Sequence, residues 1–77
     1  MPHYEKFYKI ITETTDGNIF ESLEFTDEQD YYGYVSPINR LSETLQQIGK
    51  NGGFYIDQKT LTAYPVKRVY VKTRTRH

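Results

Sequence analysis

One segment of the chain carries apolar residues at helical spacing, and its position limits what the remainder can be. Ser36 is a good N-cap, and Pro37 follows at the first helical position, where its missing amide hydrogen costs nothing. Ile38, Leu41, Leu45 and Ile48 then recur at intervals of three and four, which places them on one stripe and turns Glu43, Gln46 and Gln47 to water. Gly49, or Gly52-Gly53 just beyond, supplies the left-handed residue that ends such a helix. The spacing predicts a helix over 37–48, about 18 Å long at 1.5 Å per residue. A helix of that length shields one face of a small sheet and leaves the other open.

On both sides of this helix the chain reads as extended. Residues 4–14 are rich in aromatic and β-branched types and lead into Asp16-Gly17, a hairpin signal because a tight primed turn needs the positive φ that glycine adopts without strain. The returning strand is expected from Asn18 to Phe25. Thr26 with Gln29 three residues later resembles a capping box, while Gly33 and Pro37 forbid a long helix, so 26–34 is expected as a short helical turn or an ordered loop. After the helix, 54–57 and 61–64 form a second expected hairpin around Asp57-Gln58-Lys59-Thr60, with Pro65 interrupting the return strand or marking its edge. An extended pattern resumes over 66–72, and 73–77 is expected as a flexible basic tail. The order ββαββ predicts a single α+β domain over 1–77, a four-stranded antiparallel sheet packed on one face by a single helix.

Successive side chains of a strand point to opposite faces. One parity in the second half collects Phe54, Ile56, Leu61, Ala63, Val69 and Val71, and that side is expected to meet the helix. The other collects Tyr55, Tyr64, Arg68 and Tyr70, joined by Tyr4, Tyr8 and Ile10 from the first strand. This uncovered tyrosine face is the expected surface for a partner or a second copy of the chain.

Composition sharpens the need for such a surface. With 77 residues, the chain is near the lower size at which one core suffices, and only 36% of it is hydrophobic. Eight tyrosines can bury area while keeping a polar handle. The absence of cysteine excludes disulfides and thiolate zinc sites, which leaves a homodimer as the expected extra source of stability. Met1 to Ile10 carry His3, Glu5, Lys6 and Lys9 in place of the apolar run of a signal peptide. No stretch reaches the roughly eighteen apolar residues that span a bilayer. A cytoplasmic protein without a membrane partner is expected.

Net charge is zero, yet the charges are segregated. Between Ile10 and Asn39 stand Glu13, Asp16, Glu21, Glu24, Asp27, Glu28 and Asp30, with no Lys or Arg. After Asp57 stand Lys59, Lys67, Arg68, Lys72, Arg74 and Arg76, with no acid. Such a dipolar chain either pairs its halves on folding or steers toward a charged partner.

No catalytic constellation emerges, and the expectation is of a protein that is not an enzyme. No Gly-x-Ser-x-Gly elbow surrounds Ser22, Ser36 or Ser42, and both histidines, His3 and His77, are near the ends. Gly49-Lys50-Asn51-Gly52-Gly53 lacks the order of a phosphate loop and follows a helix instead of opening one. Glu21, Glu24, Asp27 and Asp30 do not have the spacing of a calcium loop. No metal and no cofactor are expected.

Binding is what remains. The leading expectation is a small non-catalytic protein-binding module acting through Tyr55, Tyr64 and Tyr70 on the sheet and through the acidic segment Glu21, Glu24, Asp27, Glu28 and Asp30, flanked by Tyr31, Tyr32 and Tyr34. The alternative is a small nucleic-acid-binding protein, with Tyr64 and Tyr70 stacking on bases and Lys67, Arg68, Lys72, Arg74 and Arg76 meeting phosphates. It lacks a Lys/Arg-Gly-Phe-Gly-Phe signature, and the seven acids of the first half repel phosphate unless they lie on the far side. The strand over 69–72 is also a candidate edge for pairing with a partner's strand, with its lysines as partial protection. In size, tyrosine and asparagine content and lack of cysteine, though in no motif, the chain is similar to small accessory proteins of bacteria or their phages. That likeness implies an inhibitor or adaptor of a larger bacterial host protein.

Overall fold

The computed structural model describes residues 5–26, 28–30 and 33–76, with backbone alone for Glu5, 28–30 and 33–35. The central strand β1 (Glu5–Thr14) pairs antiparallel on one edge with β2 (Ile19–Glu21) and β3 (Phe25–Thr26). A small hairpin follows, β4 (Glu28–Asp30) with β5 (Gly33–Val35), and then the helix α1 (Pro37–Lys50). The strand β6 (Phe54–Asp57) turns back into β7 (Thr62–Arg76), which pairs with β6 and with the other edge of β1. The sheet order is β2-β1-β7-β6, with β3 beside β1. The architecture is α+β with one helix and a five-stranded antiparallel sheet, the expected ββαββ order enlarged by the β4–β5 hairpin.

Local chemistry accounts for most boundaries. The Ser36 side chain accepts a hydrogen bond from the Asn39 amide at 3.1 Å, capping a helix that Pro37 begins. At the other end Gly52 and Gly53 adopt φ of 71° and 92°, and their amides donate to the Gly49 and Ile48 carbonyls, a Schellman closure that carries the helix past Gly49 to Lys50. The first turn is a three-residue loop, Thr15 to Gly17, instead of a two-residue primed turn. Gly17 takes φ 90°, and the Thr14 hydroxyl, Asp16 carboxylate and Asn18 side chain bond to one another across the loop. The returning strand is broken after Glu21, where the Ser22 hydroxyl accepts from the Ile10 amide at 2.8 Å and lets Leu23 bulge outward before β3 resumes.

Three expectations fail for physical reasons. Residues 28–30 and 33–35 pair as two short antiparallel strands, where a helical turn or an ordered loop was expected over 26–34, because Glu28, Gln29 and Asp30 find backbone partners in Val35, Tyr34 and Gly33. Residues 73–76 are strand, not tail, since Glu5 to Tyr8 supply their hydrogen-bond partners. Leu61 falls in the turn after β6, at φ 55° and 76% exposed, and so cannot face the helix.

The largest correction concerns the two faces. Glu13 pairs with Arg68 but Thr14 with Val66, so Lys67 is an extra residue, a bulge that reverses parity along β7. Tyr64, Val66, Val69 and Val71 therefore share one partly buried side, and Lys67, Arg68, Tyr70 and Lys72 are exposed. The buried side meets the helix. There Tyr8 packs on Phe25, Phe20 stacks on Tyr55 at 4.4 Å and touches Tyr64, and Arg40 of the helix lies over the Phe25 ring. Tyr8, Ile10, Tyr55 and Tyr64 thus belong to the helix side, not the open one, while Phe54, Ile56 and Ala63 alternate away from Tyr55 and Tyr64 by register. Tyr4 lies outside the described residues.

The core is thin. Among the described residues the buried apolar side chains are Ile10, Ile11 and Ile48. The helix meets the sheet through Leu41, Thr44 and Ile48, while Ile38 and Leu45, expected on the same stripe, are 77% and 49% exposed. Ile11 points to the open side yet is 2% exposed, because Tyr70 and Glu21 stand directly across from it on the two neighbouring strands.

Candidate interaction surface

Strand alternation places Phe7, Lys9, Ile11 and Glu13 of β1 on the open face, beside Arg74, Lys72, Tyr70 and Arg68 of β7 and Ile19 and Glu21 of β2. The segregated charges meet here. Arg68 donates to both Glu13 carboxylate oxygens, at 2.5 and 3.0 Å, and Tyr70 donates to the same group at 3.2 Å. Arg74 makes the equivalent two-pronged contact with Glu24, at 2.7 and 3.2 Å. The guanidiniums also lie over rings, Arg68 at 5.2 Å from the Tyr70 centroid and Arg74 at 4.6 Å from that of Phe7. Hydrogen bonds from Arg68 and Arg74 hold Glu13 and Glu24 below the usual glutamate range. Burial, and then the Glu13 carboxylate, pushes the Tyr70 hydroxyl up.

One pair on this face is unfavourable. Lys9 and Lys72 stand directly opposite each other in register, like charges where a sheet prefers opposite ones. Lys9 has Glu21 at 3.9 Å, and among the described residues Lys72 has no carboxylate within ion-pair distance. Beside them is a hollow of about 140 Å³ lined by Phe7, Lys9, Glu24, Lys72 and Arg74. Its walls offer an aromatic ring, two ammonium groups and a guanidinium already fixed by a carboxylate, a set that accepts an incoming anionic side chain.

The residues expected to bind are divided by the fold. Tyr70, Glu21 and Glu24 belong to this face or its rim, with Arg68, Lys72 and Arg74 from the nucleic-acid alternative. Tyr55 and Tyr64 are on the helix side, where burial raises the Tyr55 hydroxyl above its ordinary range. Glu28, Asp30 and Tyr34 sit in β4 and β5, whereas Asp27, Tyr31 and Tyr32 lie outside the described residues. Lys67 is the bulge residue and Arg76 ends β7. Phe7, Lys9 and Glu13 were not anticipated. The signal for them is the run Val66-Lys67-Arg68-Val69, where two consecutive charged residues between valines mark the bulge that resets the faces.

Two wider hollows flank the helix. One, of about 450 Å³, lies between Arg40, Glu43, Thr44 and the Ser22–Phe25 link, and the other, of about 340 Å³, lies between the second half of the helix and β6. Among the described residues no group of three His, Cys, Asp or Glu side chains could hold a metal ion, and no helix is long and apolar enough to cross a membrane. Compared with known proteins, the chain matches no family model, no curated protein and no solved structure.

Proposed function

We propose that the chain is a non-catalytic protein-binding module whose partner docks on the open face of the sheet and places a carboxylate between Lys9 and Lys72. The opposition of these two lysines beside a hollow carries the reading. It costs the isolated chain stability, and a partner's acidic side chain would offset it. Phe7 and Arg74 line the hollow, and Tyr70 and Arg68 lie farther along the same face, tyrosine and arginine being residue types that often anchor protein interfaces. The same pairings weaken the nucleic-acid alternative, since Arg68 and Arg74 are engaged by Glu13 and Glu24. The expected cytoplasmic setting and the role of inhibitor or adaptor of a larger host protein are retained as part of this proposal.

The test is capture from a nuclease-treated lysate on immobilised protein, comparing the native chain with Lys9→Gln, Tyr70→Ser and, as a distant control, Leu61→Gly. A protein retained at near-stoichiometric amounts by the native chain and Leu61→Gly, lost with Lys9→Gln and Tyr70→Ser, supports the proposal. Lys9→Gln is also expected to melt no lower than the native chain, separating a binding role from a structural one. Capture that requires nucleic acid, or that ignores both open-face changes, overturns it.

A further inference from the structure

Both sides of one peptide bond reveal an unusual edge. The Pro65 carbonyl accepts from the Thr15 amide at 2.9 Å, while the Val66 amide donates to the Gly53 carbonyl at 3.2 Å on the opposite side. β1 and β6 therefore flank β7 on opposite edges, and they do so at different heights. β6 pairs with Thr62 to Pro65 and β1 with Val66 to Arg76. From Lys67 to Arg76 the outer edge of β7 has no strand beside it among the described residues, about 33 Å of unpaired backbone.

The same chain holds a hairpin with the opposite need. Among the described residues β4 and β5 pair only with each other, and a lone two-stranded hairpin is marginal in water. β4 carries Glu28 and Asp30 in a stretch without a base, whereas the open edge carries Lys67, Lys72 and three arginines. The hairpin cannot reach its own β7 edge. It is joined to β3 through residue 27 alone, and β3 pairs on the far edge of β1, so β1 and β7 stand between. Pairing of β7 with β7 is opposed by like charge.

We infer that the β7 outer edge is occupied by the β4–β5 hairpin of a second copy of this chain, added head to tail so that its acidic strand lies along the basic edge to which Lys67 and Lys72 belong. Strand addition continues the sheet in its own plane and leaves Phe7, Lys9 and Tyr70 of the open face uncovered; Lys72 borders both surfaces, and Lys9→Gln in the test below separates this inference from the partner proposed above.

Sedimentation velocity over a concentration series tests it, on the native chain, Glu28→Lys/Asp30→Lys, Lys67→Glu/Lys72→Glu, and an equal mixture of the two variants, each checked for native circular dichroism. The native chain is expected to sediment above its 9.1 kDa monomer mass, with association that weakens as salt rises. Each variant alone is expected to associate about tenfold more weakly or less. The mixture should restore association, because each variant's hairpin then meets an edge of opposite charge. If a reversed variant fails to fold, Glu28→Gln/Asp30→Asn gives the same direction with a smaller change. Lys9→Gln, which touches the open face alone, should leave association unchanged. A native chain that stays monomeric, association that neither variant weakens, or a mixture that does not recover would overturn the inference.

Discussion

Replacing isoleucine by valine at three positions measures where the core is. Ile11→Val and Ile48→Val each remove one methylene from a side chain 2% or 8% exposed. Burying a methylene contributes about 0.8 kcal/mol, and incomplete collapse around the gap spreads the cost over about 0.5–1.5 kcal/mol. Ile38→Val removes the same group from a side chain 77% exposed, where a cost below about 0.5 kcal/mol is expected. In a domain of this size 1 kcal/mol moves the melting temperature by about 4–8 °C. The two buried variants should therefore melt roughly 2–12 °C early, and Ile38→Val within about 4 °C of the native chain. Ile11→Ala should cost about 2–5 kcal/mol. That is comparable to the roughly 3–5 kcal/mol a core of this size supplies, so much of that variant should be unfolded at 25 °C. The assay is thermal and urea unfolding by circular dichroism at one fixed protein concentration, since the self-association inferred above would make the midpoint concentration-dependent. An Ile38→Val cost equal to that of Ile48→Val would refute the helix seating. A neutral Ile11→Val would refute the burial of Ile11 beneath the open face.

Leu61→Gly should stabilise by up to about 1 kcal/mol, because φ 55° costs a side-chain-bearing residue about 1–2 kcal/mol and glycine returns part of that as chain entropy; a higher melting temperature checks it. Gly53→Ala should cost about 1–2 kcal/mol by backbone conformation alone, since an added Cβ would meet nothing within 4 Å at φ 92°, and Ser36→Ala should cost about 1 kcal/mol through the lost cap. Both are read as lower urea midpoints. Glu13, Asp16 and Glu24 are held below their ordinary values by hydrogen bonds from Arg68, Thr14 and Arg74. Depressed carboxylates stabilise fully above their unfolded values of about 3.9–4.3 and lose that contribution as pH falls through the folded ones. Unfolding midpoints should therefore drop on acidification below about pH 4.3, less steeply in Glu13→Gln, and a midpoint that rises there would contradict the pairings.

What the sequence discloses depends on how local the cause is. Ser36, Pro37 and Gly52-Gly53 act on their neighbours, and the helix ends follow from them. Asp16-Gly17 marks the first turn for the same reason, although Thr14 and Asn18 join it to make a three-residue loop. The faces of β7 are not a local property. A single parity carried from Phe54 to Val71 ignores the extra residue at Lys67, and that one-residue error moved Tyr64 and Tyr55 to the wrong side and hid Phe7 and Lys9. The helix stripe is a similar case. Its spacing finds the apolar half of the helix but not which edge of that half meets the sheet, and Thr44 takes the place that Leu45 was expected to fill. Segregated charge was legible as composition, while the particular pairs Arg68 with Glu13 and Arg74 with Glu24 needed the register between residues 55 and 50 apart.

The stagger of β6 against β1 links the thin core to the open edge. The fourteen-residue helix is about 21 Å long, whereas β7 runs along a molecule whose longest dimension is 46 Å, so the helix cannot cover the sheet from end to end. Where the sheet passes beyond β6, β1 is the one described strand beside β7, and the open face there is protected by Arg74 lying over Phe7 and held there by Glu24. A compact monomer would have matched β6 to the full length of β7 and closed the edge. This chain instead assigns the equivalent acidic strand to β4, which its connection to β3 keeps away from its own β7. On the pairing inferred above, the element that completes the sheet and the edge that lacks it are both carried by one chain and meet between two copies.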